Sequence, residues 1–130
     1  MKKSIQNAFL VLVLIQCMHS IEEYLGQLWE VFPPATFLCG LVSKNLETGF
    51  FIINIGLFVV GLLCWQFPVR NNYPIAKAIV WFWIILELSN SIIHTLWTLS
   101  EGSYTPGIIT APFLFVAASY LAVQMKRPNA

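Results

Sequence analysis

Long apolar stretches, separated by short polar segments, make up most of the chain. A helix needs about 20 mainly apolar residues to cross a bilayer, and four stretches are close to that length. They are residues 4–29, 48–67, 74–97 and 106–125. Proline, glycine or asparagine follows each stretch, Pro128 in the case of the last. The apolar segment 35–44 is too short to cross and contains Gly40, which favours an interfacial or re-entrant position. The pattern predicts an all-α fold, a polytopic membrane bundle of four transmembrane helices, as one domain over residues 1–130.

Composition supports a membrane location. Apolar residues make up 58% of the chain and charged residues only 10%, whereas about 25% of an ordinary soluble domain is charged. The formal net charge is +1 and no basic stretch is present, so we expect no nucleic-acid partner. The expected surroundings are membrane lipid.

The distribution of cations predicts the orientation. Six of the seven lysines and arginines fall on one side of the four-span arrangement, and only Lys44 falls on the other. By the positive-inside rule, both termini are expected in the cytoplasm, with the chain as a multi-pass protein of the cell inner (cytoplasmic) membrane. We expect the first apolar segment to be retained as a membrane helix, because Cys17 to Ser20 lack a small-x-small signal-peptide cleavage site.

Ionisable residues inside two of the spans are the first candidates for function, because a charge in hydrocarbon is costly unless it is paired, neutralised or hydrated. The first span carries His19, Glu22 and Glu23, and the third carries Glu87, Asn90 and His94. Each set lies along one stripe of its helix. From the helical rise, His19 is expected about 22 Å and His94 about 30 Å from the cytoplasmic helix starts, which places both stripes in the outer half of the membrane.

The other two spans contribute neutral polar residues to the same layer. Asn54 and Thr110 lie about 9 and 6 Å inside their spans, and Tyr104 lies just before the fourth span. Structural explanations stay open. The end of the first helix could project into the headgroup region, Glu87 and His94 could be a structural pair, and Asn54 and Thr110 could serve helix packing.

Two kinds of chemistry fit this layer. Imidazoles and carboxylates together suit a divalent transition metal such as zinc, iron or manganese, and His19, Glu23 and His94 are the predicted ligands. Crowded carboxylates without a metal would form a proton-transfer site suited to isomerisation or cyclisation of a lipid. Glu22, Glu87 and Asn90 are the predicted catalytic residues, and we expect Glu87 to be protonated or metal-bound at neutral pH.

Three motifs carry a resemblance to a known family. They are His19-Ser20-Ile21-Glu22-Glu23, the segment from Asn90 to His94, and Tyr104-Thr105-Pro106-Gly107 followed by Thr110-Ala111. Their combination resembles the HXXEE family of small prokaryotic membrane proteins. The resemblance implies a multi-spanning domain whose His and Glu residues are implicated in enzymatic activity, without an established substrate. It carries over His19, Glu22, Glu23, Asn90 and His94, whereas Glu87 is added from spacing alone.

The Tyr-Thr-Pro-Gly segment also has a physical interpretation. Pro106 suits the first position of a helix, and Gly107 permits close approach of the backbone. The fourth helix would then begin beside the polar layer with its amide groups facing a carboxylate or an anionic substrate group. An ordinary turn at the start of a helix is the alternative.

The sequence favours an enzyme with a buried His/Glu site, metal-dependent and acting on a lipid-soluble small molecule. Two alternatives stay open: a non-catalytic metal- or proton-binding module for transport or sensing, and a metal-free acid/base isomerase or cyclase. An enzyme needs an apolar cavity beside the polar layer, whereas a conductor needs a hydrated path to both faces. Association into a homo-oligomer also stays open.

Overall fold

The computed structural model describes residues 1–127 and is all-helical over that range. Pro128, which the sequence analysis placed after the last span, lies outside the described residues. The helices are α1 (Lys3–Leu25), α2 (Leu28–Val31), α3 (Pro33–Val42), α4 (Leu46–Cys64), α5 (Ala76–Glu101) and α6 (Ala111–Lys126), and a π-helical turn, Trp65–Val69, continues α4.

Three segments are long and apolar enough to cross a membrane: Lys3–Leu25, Leu46–Val69 and Ala76–Glu101. They indicate a membrane protein and coincide with the first three predicted spans. The fourth predicted span, 106–125, is shorter than expected, because residues 106–110 form turns and α6 has 16 residues. The predicted interfacial segment 35–44 forms most of α3, a helix of ten residues.

The helix ends follow local sequence. Gly26 closes α1, and Gln27 adopts a left-handed conformation with φ of 50° that turns the chain into α2. This break ends the first span four residues before the predicted residue 29. Asn45 caps α4 by accepting a hydrogen bond from the backbone N–H of Thr48 at 2.9 Å, which satisfies one of the free amides of its first turn. Gly102, with φ of 66°, ends α5 in the left-handed conformation that glycine adopts at little cost.

The long helices pack in the order α5, α6, α1, α4, with α3 on α4. We call the end where α1 and α5 finish and α4 and α6 begin the distal end. The opposite half contains the main apolar core, in which Phe9 and Trp83 meet edge to face at 5.9 Å. Gly61 on α4 lies against Val13 and Trp83, and a Cβ at Gly61 would come within 2.8 Å of the Val13 side chain. Close packing therefore joins α1, α4 and α5 in this half.

The α2–α3 segment covers the distal end of α4 with a second, smaller apolar cluster. Leu28, Trp29, Cys39 and Phe50 form its buried part. Gly49 makes this packing possible, because a Cβ there would collide with the backbone carbonyl of Cys39. This packed cluster therefore lies next to the polar residues of α1 and α5, with Phe32 beside His94.

Candidate functional site

A cluster of His19, Glu23 and His94 lies buried between α1 and α5. One potential metal-ligand atom from each residue, a ring nitrogen or a carboxylate oxygen, lies within 4.8 Å of the other two. His94 Nε2 is 2.9 Å from Glu23 Oε1, and His19 Nε2 is 3.3 Å from the same oxygen. The two imidazole rings meet edge to face with centroids 4.7 Å apart. We call these three residues the His/Glu cluster; they are the three residues that the sequence analysis predicted as metal ligands, and their geometry could hold an ion.

Glu22 is not part of this cluster and binds the turn that precedes α6. Its carboxylate accepts hydrogen bonds from the backbone N–H groups of Ile109 and Thr110, at 3.0 and 2.9 Å. It also accepts from the hydroxyls of Thr110 and Tyr104. Burial and the hydrogen bond to Glu22 raise the pKa of the Tyr104 hydroxyl above its usual value. The sequence analysis expected the amides before the last helix to face a carboxylate. The structure shows that the amides before α6 bind the carboxylate of Glu22.

Thr110 links Glu22 to His19. Its hydroxyl lies 2.6 Å from His19 Nδ1. A hydroxyl has one proton to donate, and Thr110 donates it to Glu22, so the same oxygen accepts from His19 Nδ1–H. In neutral His19 the lone pair is therefore on Nε2, which is buried without a hydrogen-bond partner and lies beside the Glu23 carboxylate. A lone pair that faces a carboxylate oxygen could hold a cation, either a proton or a metal ion.

Gly107 holds the pre-α6 turn against both imidazoles. Its φ is 97°, a conformation that favours glycine. A Cβ at this position would lie 2.6 Å from His94 Cε1, 2.7 Å from His94 Nδ1 and 2.8 Å from His19 Cε1. The close backbone approach expected at Gly107 is therefore present. His94 Nδ1 is buried here without a hydrogen-bond partner.

A second polar group begins at Gln16, about one turn before His19 on α1. Glu87 Oε2 is 2.6 Å from the side-chain amide of Gln16. The other end of that amide is 3.2 Å from the Ser20 hydroxyl, which donates to Asn54 Oδ1 at 2.7 Å. Asn54 in turn donates to the backbone carbonyl of Phe50 at 3.0 Å. This chain of hydrogen bonds joins α5, α1 and α4.

A cavity of about 410 Å³ opens between α4 and α5 in the distal half, under α3. We call it the α4–α5 cleft. Its polar lining residues are Gln16, Glu23, Asn54, Glu87, Ser89 and Asn90, and its apolar lining includes Leu38, Phe50, Ile53, Leu57 and Ile93. Glu23 belongs both to the His/Glu cluster and to the cleft, so a molecule in the cleft reaches the edge of the cluster.

The structure divides the predicted site residues into three environments. His19, Glu23 and His94 converge in the cluster. Glu22, Tyr104 and Thr110 are connected to it through His19. Asn54, Glu87 and Asn90 line the cleft. Glu22, predicted as catalytic, is separated from the cluster by Thr110 and does not line the cleft.

Two sequence expectations about geometry were wrong. His19 and His94 do not differ in depth by about 8 Å, since their ring centroids are 4.7 Å apart; helix starts need not lie at one level. Pro106 does not open a helix, because it lies in a turn packed against Gly26, and Pro112 takes the early helical position in α6.

Sequence reasoning missed Gln16 and Ser20. With His19 and Glu23 they form an i, i+3, i+4, i+7 pattern, which puts all four on one face of α1. That periodicity was the available signal. The structure shows Gln16 to be as deeply buried as Glu23, with 4% of its surface exposed.

Comparison with known proteins gives one family. A family model described as "Protein of unknown function with HXXEE motif" matches residues 10–122. The matched range contains the cluster, the pre-α6 turn and the cleft. Neither a curated protein nor a solved structure matches the chain.

Proposed function

The chain belongs to the HXXEE family, and on this premise we propose that it is a metal-dependent enzyme, embedded in a membrane, that acts on a lipid-soluble substrate. The observation that carries the proposal is the convergence of His19, Glu23 and His94 beside a cleft that Glu23 also lines. Glu22 and Glu23 are the two acidic residues of the family motif. Glu22 orients a histidine through Thr110, and Glu23 faces both histidines.

A ring nitrogen of each histidine and a Glu23 oxygen would hold the ion. The unpartnered His19 Nε2 fits this role, and its Nδ1–H is held by Thr110 and Glu22, as the second nitrogen of metal-binding histidines usually is. Imidazole with carboxylate suits zinc, iron or manganese. The carboxylates of Glu22 and Glu23 together balance two positive charges. A divalent ion bound here would supply Lewis-acid polarisation of a substrate oxygen.

The cleft supports a lipid-soluble substrate. It lies between α4 and α5, two of the helices that are long and apolar enough to cross a membrane, and most of its lining is apolar. A substrate could therefore move in sideways from the bilayer, with its polar end next to Glu23 and Asn90. In this proposal the protein is a multi-pass protein of the inner membrane, α6 is a fourth, shorter crossing, and both termini are cytoplasmic.

A second candidate is a metal-free acid/base enzyme, such as a lipid isomerase or cyclase. One Glu23 oxygen contacts both imidazoles, and this contact favours the metal-free enzyme. A second proton on His19 Nε2 could be donated to Glu23, so that no metal would be needed between them. In that case His19 is an imidazolium that Glu23 stabilises and that can return a proton to a substrate.

Metal content distinguishes the two candidates. Protein purified without chelator should contain about one equivalent of zinc, iron or manganese by elemental analysis, and His19→Ala and His94→Ala should lose it. Glu101→Gln is the matched control, because Glu101 is exposed at the end of α5 and should not affect binding. Wild-type protein that contains no stoichiometric metal and binds none of the three ions on titration would exclude the metal-dependent enzyme.

Two neighbouring isoleucines test the cleft. Ile93 and Ile92 are similarly exposed, at 49% and 47%, but Ile93 lines the cleft and Ile92 lines a groove between α5 and α6. A photoactivatable single-chain lipid in vesicles should crosslink to the Leu38 region of wild-type protein. Ile93→Trp should reduce that crosslink several-fold, whereas Ile92→Trp should not. Equal crosslinking in both variants would contradict lipid access through the cleft.

A further inference from the structure

The hydrogen bonds around Glu87 determine its protonation state. We infer that Glu87 is a neutral carboxylic acid that donates its proton to Gln16, and that Gln16, Ser20 and Asn54 are positioning residues that fix this arrangement. The inference does not depend on a metal ion, because it rests on a chain of contacts outside the His/Glu cluster.

The chain of contacts begins at Asn54, whose orientation is fixed. One end of its amide is 3.0 Å from the backbone carbonyl of Phe50, which can only accept a hydrogen bond. That end is therefore the NH₂ group, and the other end is the carbonyl oxygen. This oxygen is 2.7 Å from the Ser20 hydroxyl, so Ser20 donates to Asn54.

The orientation of Gln16 follows from that of Ser20. The single hydroxyl proton of Ser20 is used on Asn54, so Ser20 can only accept from the amide end of Gln16 that lies 3.2 Å away. That end is the Gln16 NH₂ group. The carbonyl oxygen of Gln16 then faces Glu87 Oε2 at 2.6 Å.

Two oxygens at 2.6 Å need a proton between them. Gln16 has none to give from its carbonyl, so the proton belongs to Glu87. The distance agrees, since O–H···O bonds are commonly about 2.7 Å long and N–H···O bonds about 2.9 Å. The chain Glu87, Gln16, Ser20, Asn54, Phe50 carbonyl then has one donor and one acceptor in each contact.

The ionised alternative leaves a contact without a proton. Rotating the Gln16 amide lets its NH₂ group donate to a Glu87 carboxylate. The Gln16 carbonyl and the Asn54 carbonyl would then compete for the one Ser20 proton, and either the buried Gln16 oxygen or the half-buried Asn54 oxygen would lose its partner. Within residues 1–127, no cationic side chain pairs with Glu87. The Asn90 side chain is its neutral hydrogen-bond partner, and the nearby Glu23 carboxylate on α1 would repel a second negative charge. A neutral Glu87 avoids both costs.

A neutral Glu87 changes the chemical groups that line the cleft. It is a hydrogen-bond donor that holds a transferable proton next to the cleft, while Glu23 stays the anionic group that faces the imidazoles. The α4–α5 cleft therefore has separate acidic and basic carboxyl groups on α5 and α1.

Infrared spectroscopy tests the inference without a known substrate. All six acidic residues are glutamates, so wild-type protein at neutral pH in lipid should show one carbonyl band of a protonated glutamic acid. The band should shift in D₂O and on ¹³C labelling of glutamate. It should disappear in Glu87→Gln and remain in Glu101→Gln, the matched change at an exposed glutamate.

The positioning residues have their own signature. In Gln16→Leu the acid loses its acceptor, so the band should persist but change frequency, and Ser20→Ala should change it in the same way by freeing the Gln16 amide. Absence of a protonated-carboxyl band in wild-type protein, or a band that survives in Glu87→Gln, would overturn the inference. Because the band is measured in protein with known metal content, its absence would be distinct from a failure to bind metal.

Discussion

Replacing Gly107 with alanine should damage the His/Glu cluster directly. The added Cβ would lie 2.6 Å from His94 Cε1 and 2.8 Å from His19 Cε1. Carbon atoms in contact are ordinarily about 3.5–4.0 Å apart, so each ring would have to move by roughly 1 Å. Both rings are buried, with 0% and 2% exposed for His19 and His94, so neither can move freely.

The size of the effect has two parts. A side chain at the left-handed φ of Gly107 costs roughly 1–2 kcal/mol, and forcing atoms into a packed interior costs about 1–3 kcal/mol more. Gly107→Ala should therefore lower the free energy of unfolding by about 2–5 kcal/mol. A displacement of about 1 Å in a site group should also lower metal affinity or activity by up to about 10²-fold.

Gly102→Ala is the matched control. Gly102 also has a positive φ, 66°, but a Cβ there would have no atom within 4 Å. Its cost should be the backbone part alone, roughly 1–2 kcal/mol. Thermal unfolding in detergent, with metal titration of the folded variants, measures both. Equal stability and equal metal affinity in the two variants would refute the contact argument.

Three further predictions concern the pre-α6 turn and the topology. Thr110→Val removes the hydroxyl between Glu22 and His19 and should weaken metal binding about 10- to 100-fold, whereas Thr110→Ser should retain it; equal loss in both would point to general damage. Burial and the Glu22 hydrogen bond raise the pKa of Tyr104, so the contribution of Tyr104 to stability should be complete below pH of about 10 and lost as pH rises through the folded-state value. Glu22→Gln should lower that pKa in an absorbance titration corrected with Tyr104→Phe, and an unchanged value would refute the coupling. In a cysteine-free background, an impermeant thiol reagent should label the exposed Lys44→Cys from outside cells and leave Lys77→Cys unlabelled; the reverse pattern would invert the topology.

Much of the helical layout could be predicted from the sequence. Runs of apolar residues determine where a helix can cross a bilayer, and three of the predicted spans coincide with long apolar helices. The pairing of His19 with Glu23 also follows from the sequence, because residues four apart share a face in any α-helix. The family assignment depends on the motif residues and was confirmed by the match over residues 10–122.

Periodicity does not give the level or rotation of one helix against another. The meeting of His94 with Glu23 depends on how α5 sits beside α1, and the estimate from helix starts misplaced the two histidines by several ångströms. Close contacts set that position, including the packing of Gly61 against Val13 and Trp83.

The conformation of the turn before α6 and the lining of the α4–α5 cleft also depend on contacts between residues far apart in the chain. The Pro106 and Gly107 pattern is compatible with a helix start, but Glu22 binds the amides of Ile109 and Thr110 and keeps residues 106–110 in turns. The contact of the Gln16 amide with Glu87 likewise depends on how α5 packs near α1, since no spacing along the chain pairs these two residues. A sequence specifies which groups a helix presents on each face, whereas partners across helices depend on packing between elements far apart in the chain.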